Sequence, residues 1–363
     1  MAEMLERYAK AATKAEKKLP LLPRFVESFY DKKIAEDIKP STLLGYIEDI
    51  ENFFKWLCAE SIVSSPTYHE ITISMLDKLE ESDFDRYKRF LLTQKVQNEL
   101  AKKKKIGLAK VTVNRKLSSL KMLFNYLYKA GDISNNPLFD YKMFEIKKTP
   151  SQRAHEIMEK ILPTDDDITD FLDFVRQGYK NQIEGNKQAY GHYIKNRERD
   201  IAIISLFLGS GIRLVELLEL TLDKVDLNER KLKIVRKGDK ADVIYFTKLA
   251  HQDLIQYLRI RNERYNCDSD TEHVFISAYK GTTSPIKRRT VQSIIEKYMA
   301  VYSQDTSRSL SPHKLRHSFA SLMARKGNDI TIIQQQLGHS DPSVTRQYIH
   351  VNSEQMKNAI DSL

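Results

Sequence analysis

The chain has 363 residues, of which 41% are hydrophobic and 30% charged, with a formal net charge of +10. The length suits two domains, and the composition excludes a disordered or collagen-like chain. No uncharged apolar run approaches the roughly 18 residues of a transmembrane helix. The two cysteines, Cys58 and Cys267, are too few for a disulfide framework or a Cys-rich zinc site. We therefore expect a cytosolic protein without a secretory signal.

The first 150 residues are predicted to be helical. After Pro40, apolar residues recur at spacings of four and three and so share one helix face: Leu43, Ile47, Ile50, Phe54 and Leu57. A second stripe, ahead of the turn-forming residues 131–137, comprises Val113, Leu117, Leu120, Phe124 and Leu127. Ser41 and Thr112 are the candidate N-caps. Both stripes are expected to form the core of a bundle of four or five helices.

Positive charge is concentrated in residues 101–150, which hold 12 basic and 3 acidic residues. A run of four lysines there is compatible with a solvated face or with a polyphosphate-binding surface, and charge alone does not choose between them: Lys102, Lys103, Lys104 and Lys105. The helix of the second stripe carries polar and basic residues opposite its apolar side: Asn114, Arg115, Lys116 and Lys121. Such a helix can lie against DNA, although this composition is also common on ordinary surfaces.

Residues 151–195 are predicted to form a linker or insert, because this part of the chain contains Pro163 and the polar stretch 177–188. Three successive aspartates at 165–167 could suggest a metal site. The apolar run that begins at Ile168 favours an acidic helix start instead.

Beyond residue 197 the pattern is mixed. Residues 199–220 are predicted to form two helices separated at Gly209-Ser210-Gly211, and residues 231–235 and 241–247 a β-hairpin. Further helices are predicted at 249–264, 289–302, 312–326 and 329–337. Ser311 is the candidate N-cap of the third of these, with Pro312 in its first turn. A final amphipathic helix is predicted from Ser353, with Met356 and Ile360 on one side.

Several catalytic motifs are absent from the sequence. It has no phosphate-binding GxxxxGK[ST] loop and no GxGxxG, HExxH or GxSxG motif, so ATP and dinucleotide binding have no support. His313 and His317 have a spacing that can hold zinc on a helix, but no glutamate base follows the first histidine and no cysteine pair is near. We expect neither a metal nor a cofactor.

Between residues 213 and 348, six residues suit metal-free phosphoryl transfer from a diester: Arg213, Lys237, His313, Arg316, His339 and Tyr348. Arginine, planar and always charged, can stabilise the non-bridging oxygens of the transition state. Tyrosine can be the nucleophile if its phenolic proton is removed, and lysine can protonate the leaving oxygen. Each residue type alone has ordinary structural uses, and Tyr348 is one of 18 tyrosines.

These residues and their order resemble the tyrosine recombinase (λ-integrase-like) family. The matching motifs are GSGIRLVELLEL, VRKGDK, SPHKLRHSFAS, LGHS and VTRQYIHV. The N-terminal segments PSTLLGYIEDIENFFKWL and TVNRKLSSLKMLFNYL are similar to the family's SAM-like core-binding domain. Within the family the chain is most similar to the Xer branch, and its length, interdomain insert and C-terminal residues resemble the XerS-type single recombinases.

The resemblance implies a role for each residue of the motif set. Tyr348 would attack a DNA phosphodiester to form a 3′-phosphotyrosyl link, and Arg213 and Arg316 would clamp the scissile phosphate. Lys237 would be the general acid for the 5′-oxygen, with Lys240 as the alternative lysine.

The remaining motif residues would assist. His313 would help proton transfer at the tyrosine, His339 would hydrogen-bond a phosphate oxygen, and Glu216 would support the site. The chain departs from the family pattern at Ala241-Asp242, where another basic residue is usual. This puts DNA contact by the hairpin in doubt but leaves the lysine role intact.

The resemblance also implies a fold and partners. We expect a mainly α chain with a small β-hairpin or sheet, arranged as a two-domain DNA clamp. A core-binding domain would span 1–150, the linker or insert 151–195, and a catalytic domain with a C-terminal tail helix 165–363. Arg115, Lys121 and Lys102 to Lys105 are the candidate DNA contacts.

The function implied is site-specific recombination of double-stranded DNA, of the Xer type at a dif-like site, by a homotetramer on two DNA sites. An FtsK-like translocase is among the implied partners, and the bacterial cytoplasm, in association with the nucleoid, is the expected location. An integrase or resolvase of a mobile element and a catalytically silent DNA-binding architectural protein are the alternatives. A type IB topoisomerase would share the chemistry.

Overall fold

The computed structural model describes these residues: 2–96, 105–146, 152, 156, 158–236, 240–267, 271–279, 281–303 and 310–338. The chain divides into two compact units, one within Ala2–Lys147 and the other beginning at Lys148. In the part of the chain that is described, no helix is long and apolar enough to cross a bilayer.

The first unit is a helical bundle with one short β-pair. Its helices are α1 (Ala2–Lys18), α2 (Arg24–Ala35), α3 (Pro40–Ala59), α4 (Ile73–Leu76), α5 (Glu81–Thr93) and α6 (Lys110–Ala130), with 3₁₀ turns at Leu19–Leu21 and Tyr68–Glu70. Strands β1 (Lys95–Val96) and β2 (Lys105–Ile106) pair antiparallel between α5 and α6. Every residue of the two predicted apolar stripes is fully buried in the core, which confirms the core prediction.

The predicted N-caps of α3 and α6 are wrong. Lys39 occupies the N-cap position of α3 without a capping side-chain hydrogen bond, and Pro40 is in the first turn, so Ser41 already lies inside the helix. Proline fits the first turn because its fixed φ is helical and its missing N–H is not needed there. Helix α6 begins at Lys110, two residues before Thr112. It ends as predicted at Gly131, whose φ of 78° is in the left-handed region.

The second unit, where it is described, combines helices with two small antiparallel sheets. Its helices are α7 (Asp165–Asp173), α8 (Tyr179–Gln182), α9 (Lys187–Ser210), α10 (Leu214–Leu218), α11 (Lys248–Tyr265), α12 (Arg288–Tyr302), α13 (Pro312–Arg325) and α14 (Ile330–Leu337), with a π turn at Phe174–Gly178 and a 3₁₀ turn at Leu222–Lys224. Strands β3 (Val225–Asp226), β4 (Lys231–Val235) and β5 (Ala241–Tyr245) form one sheet, and β6 (Ile276–Tyr279) and β7 (Thr282–Pro285) the other. The predicted hairpin is therefore present in β4 and β5, with Val235 opposite Ala241.

Residues 165–195, which the predicted linker and the predicted catalytic domain both include, contribute to the core of the second unit. Thr164 and Asp167 form a reciprocal capping box, in which Thr164 Oγ1 accepts from the Asp167 N–H at 3.1 Å and the Thr164 N–H donates to Asp167 Oδ2 at 3.1 Å. The predicted acidic helix start is thus confirmed. Phe171, Val175 and Tyr193 are buried in the same core as the rest of this unit. The polar residues of this stretch therefore lie on the outer side of packed helices. This explains why composition alone suggests an insert.

Helix α9 is the central element of this unit. It packs against α11 and α13, and its last ten residues, 201–210, are buried. Helix α13 begins with the predicted cap, because Ser311 Oγ accepts from the Lys314 N–H at 3.3 Å and Pro312 occupies the first turn. The carboxyl end of α9, the first turns of α10 and α13, and the carboxyl end of α14 meet at one place.

Candidate active site

Arg213 is placed by the break between α9 and α10. Gly211 ends α9 with a φ of 66°, and an added Cβ there would collide with the Phe319 ring. Both the backbone conformation and the available space therefore require glycine. Arg213 is then the N-cap of α10. Its backbone N–H donates to Glu216 Oε2 at 2.8 Å, and its Nη1 donates to Glu216 Oε1 at 2.8 Å. Glu216 is buried, so it holds the guanidinium in one orientation.

Arg316 lies in the first turns of α13 and is 5% exposed. Its Nη1 donates to the Gly211 carbonyl and its Nη2 to the Leu337 carbonyl. A buried guanidinium is stable only when its donors are paired, and these two carbonyls come from the ends of α9 and α14. Arg316 therefore ties the glycine break to the carboxyl end of α14.

Arg213 reaches the neighbouring peptide of the same helix end, because its Nη2 donates to the Gly338 carbonyl at 2.7 Å. Two arginines that are about 100 residues apart in sequence thus bind successive carbonyls, those of Leu337 and Gly338. The structure brings together the two arginines that the sequence singles out.

His313 lies one turn before Arg316 on α13, and its ring meets the His317 ring edge-on at 4.3 Å between centroids. Partial burial of the imidazole, together with the charges of Arg316 and Arg213, lowers the pKa of His313 below its ordinary value of 6.5. The neutral ring, which can accept a proton, is therefore the favoured form near neutral pH.

Other predicted site residues fall outside the part of the chain that the structure describes: Lys237, His339 and Tyr348, and among the candidate DNA contacts Lys102, Lys103 and Lys104. For Lys105 only the backbone, in β2, is described. The competing lysine, Lys240, is exposed. Within the described residues, no group of three or more His, Cys, Asp or Glu side chains is arranged to hold a metal ion.

The candidate DNA contacts on α6 have partners within their own unit. Arg115 donates to both carboxylate oxygens of Asp49, at 2.6 and 3.1 Å, and Lys121 donates to the Phe139 carbonyl at 2.8 Å. The Arg115 side chain is nevertheless 53% exposed. Its role in DNA binding stays a prediction.

Sequence reasoning missed Arg236. It follows β4 and donates to Asp242 Oδ2 at 2.8 Å and to the Leu337 carbonyl at 2.8 Å. A single arginine next to a predicted catalytic lysine has no periodic signature. The one available signal was the acidic Asp242 at a place where the resemblance predicts a basic residue.

A second cluster of positive charge was also missed. It lines a cleft of about 620 Å³ between α9, the β6–β7 hairpin and α12. Its cations are distant in sequence, so no single window reveals them: Lys195, Arg199, Lys287, Arg289 and Lys297.

Comparison with known proteins decides the family. The profile of the phage integrase family matches residues 182–355. The chain is 32% identical over 350 residues to the tyrosine recombinase XerS of Streptococcus pyogenes serotype M5 (strain Manfredo), covering 94% of this chain and 96% of that protein. This chain belongs to the tyrosine recombinases.

Solved tyrosine recombinase structures share the fold. The Tn1549 transposon integrase in complex with a circular intermediate DNA is similar with a TM-score of 0.58 at 19% identity, covering 93% of this chain and 99% of that chain. The XerH site-specific recombinase bound to difH substrate gives a TM-score of 0.53 at 19% identity, covering 87% of this chain and 76% of that chain. The mainly α fold with small antiparallel sheets, expected from the resemblance, is confirmed.

Proposed function

We propose that this tyrosine recombinase exchanges DNA strands at a specific dif-like site, in the manner of the Xer recombinases. The observation that carries the proposal is the convergence of Arg213 and Arg316 on the carbonyls of Leu337 and Gly338, beside a His313 whose pKa is lowered. The residue that follows Gly338 is His339 of the LGHS motif. Two fixed guanidiniums beside a neutral imidazole suit the binding of a diester phosphate and the acceptance of one proton.

The proposed cleavage step balances without metal or ATP. The Tyr348 oxygen attacks the phosphorus and its phenolic proton passes to His313. The bond from phosphorus to the 5′-oxygen breaks, and Lys237 protonates that oxygen. Arg213, Arg316 and His339 stabilise the non-bridging oxygens as their charge grows.

Strand exchange is the reverse step with a different strand. The 5′-hydroxyl of the partner strand attacks the 3′-phosphotyrosyl bond and releases Tyr348. Because the phosphotyrosyl link preserves the energy of the phosphodiester, joining needs no external energy source. Glu216 holds Arg213 in place throughout and does not itself react.

The proposal includes the partners of the reaction. Double-stranded DNA is the substrate, and four copies of the chain would act on two sites, with the tail helix around Met356 and Ile360 docked on a neighbouring copy. These tail residues lie outside the described part of the chain. An FtsK-like translocase would control the timing, and the protein would act at the bacterial nucleoid. The 32% identity to the tyrosine recombinase XerS, over 94% of this chain, supports a role of the Xer type.

A plasmid resolution assay tests the proposal. A supercoiled plasmid carrying two directly repeated copies of the dif-like sequence from the source genome is incubated with the protein in EDTA without ATP. The expected products are two smaller circles, with none from a plasmid whose sites are scrambled. Relaxation of both plasmids alike would indicate a topoisomerase, and binding without any product would favour the architectural alternative.

A further inference from the structure

Arg236 has no role in the cleavage step proposed above. It directly precedes Lys237 in sequence and follows the last residue of β4. Its side chain is 9% exposed. Its backbone N–H donates to the Lys240 carbonyl at 2.8 Å, so the two residues that flank 237–239 are joined to each other.

The Arg236 guanidinium connects β5 to the carboxyl end of α14. Its Nε donates to Asp242 Oδ2 at 2.8 Å, while Nη1 donates to the Leu337 carbonyl at 2.8 Å and Nη2 to the Gln336 carbonyl at 2.9 Å. The carboxyl end of a helix carries partial negative charge and unpaired carbonyls, which a guanidinium satisfies. One side chain therefore fastens the hairpin to this helix end.

Gly338 provides the space for this contact. Its φ of 61° is left-handed, and an added Cβ would collide with the Arg236 guanidinium carbon. Any larger residue would therefore displace Arg236 as well as strain the backbone. The close approach puts Arg236 against the peptide that leads to His339.

Arg236 binds the same two groups as the arginines of the active site. Glu216 Oε1 lies 2.8 Å from Arg213 Nη1 and 3.5 Å from Arg236 Nη1. The Leu337 carbonyl accepts from both Arg316 and Arg236. Arg213 and Arg316 keep their own partners at Glu216, Gly338, Gly211 and Leu337, so loss of Arg236 releases the hairpin and leaves the two arginines in place.

We propose that Arg236 is a positioning residue for the leaving-group step: it holds the ends of β4 and β5, which flank residues 237–239, against the helix end that the phosphate-binding arginines also bind. This inference rests on the proposed function, in which Lys237 protonates the 5′-oxygen. Asp242, on the opposite strand β5, accepts a hydrogen bond from Arg236 Nε and so holds the guanidinium in place. The acidic residue that departs from the family pattern is therefore the partner of Arg236.

The test compares two suicide DNA substrates, one with the normal 5′-oxygen and one with sulfur at that bridging position. A thiol has a pKa near 8.5, so sulfur departs as an anion without a general acid. We expect Arg236→Gln to form covalent adduct about 100-fold more slowly than wild type on the oxygen substrate, since misplacement by about 1 Å can cost that much. On the sulfur substrate its rate should lie within about threefold of wild type.

Variants of the same hairpin serve as controls. Lys233→Gln removes an exposed charge from β4 and should match wild type on both substrates. Asp242→Asn keeps the arginine and should show a smaller loss, about tenfold, that sulfur also restores. It provides the test if Arg236→Gln does not fold, as judged by its thermal unfolding.

The outcomes separate the inference from the function on which it rests. Equal slowing of Arg236→Gln on both substrates, or wild-type rates on the oxygen substrate, would overturn the positioning role while wild-type cleavage upheld the recombinase. Absence of adduct with wild-type protein on both substrates would instead contradict the proposed function.

Discussion

The Arg213 side chain and backbone are both bound by one carboxylate, since Nη1 and the backbone N–H lie 2.8 Å from Glu216 Oε1 and Oε2 respectively. Glu216 thereby serves at once as the capping partner at the start of α10 and as the counter-ion of the arginine. This double use fixes the guanidinium before substrate arrives, so little reorganisation remains for the reaction itself.

Replacing Glu216 with glutamine should slow cleavage more than it weakens binding. Glutamine retains one acceptor oxygen but turns an NH₂ group toward other donors, which leaves a buried mismatch. We expect the rate of adduct formation to fall about 10- to 100-fold with DNA affinity within about threefold. Single-turnover cleavage and a binding titration measure the two effects. Glu263→Gln, an exposed substitution on α11, is the control, and an equal loss of affinity and rate would contradict the orienting role.

The acid limb of the pH profile should report His313. Only the neutral ring accepts a proton, and burial with two neighbouring arginines lowers its pKa, so the neutral form persists to lower pH than for an ordinary histidine. The ratio of cleavage rate to Kd, measured against pH, reports groups of the free protein. We expect this ratio to fall at low pH with a midpoint below pH 6.5. His313→Asn should remove that limb. A midpoint above 6.5 in wild type would contradict the assignment.

Much of this site follows from the sequence because its residues belong to strong local patterns. Ser311 and Pro312 set the start of α13, and the spacing of His313 and Arg316 then puts both on one face. Gly211 indicates the break before Arg213 through the backbone conformation that glycine allows.

The parts that could not be predicted depend on contacts between distant segments. Arg236 and the helix end at Leu337 are 101 residues apart, and nothing local in either segment indicates that they meet. Likewise, the polar stretch before Tyr193 suggests a linker because few of its residues are apolar. Those few are nevertheless enough to pack the segment into the core. The predicted N-cap at Ser41 is wrong because α3 begins at Pro40 without a capping side chain.

Arg115 and Lys116 should differ in their effects on DNA binding, although both pair with the buried Asp49. Arg115 is 53% exposed and Lys116 16%, so only Arg115 presents substantial charge to solvent. We expect Arg115→Ala to reduce the salt slope of DNA binding by about one, as loss of one phosphate contact does. Lys116→Ala should lower thermal stability and leave the slope unchanged. If the two variants have the same salt slope, Arg115 does not contact DNA.

DNA affinity of the wild-type protein should depend steeply on salt. The basic surplus in residues 101–150 predicts several phosphate contacts, each of which releases counterions on binding. With six or more contacts the affinity should fall at least about 1,000-fold between roughly 50 and 200 mM salt. Fluorescence anisotropy with a labelled duplex measures it. An affinity that stays flat over this range would contradict the charged interface.

The most direct test of the account is covalent capture on a nicked suicide DNA substrate that carries the candidate dif-like sequence. Wild-type protein and Tyr348→Phe are incubated with it in EDTA without ATP and resolved on a denaturing gel. The account predicts a protein–DNA adduct with wild type and none with Tyr348→Phe, while both bind the duplex equally. An adduct with Tyr348→Phe would show that another residue is the nucleophile, and no adduct with wild type despite intact binding would contradict metal-free cleavage by this chain.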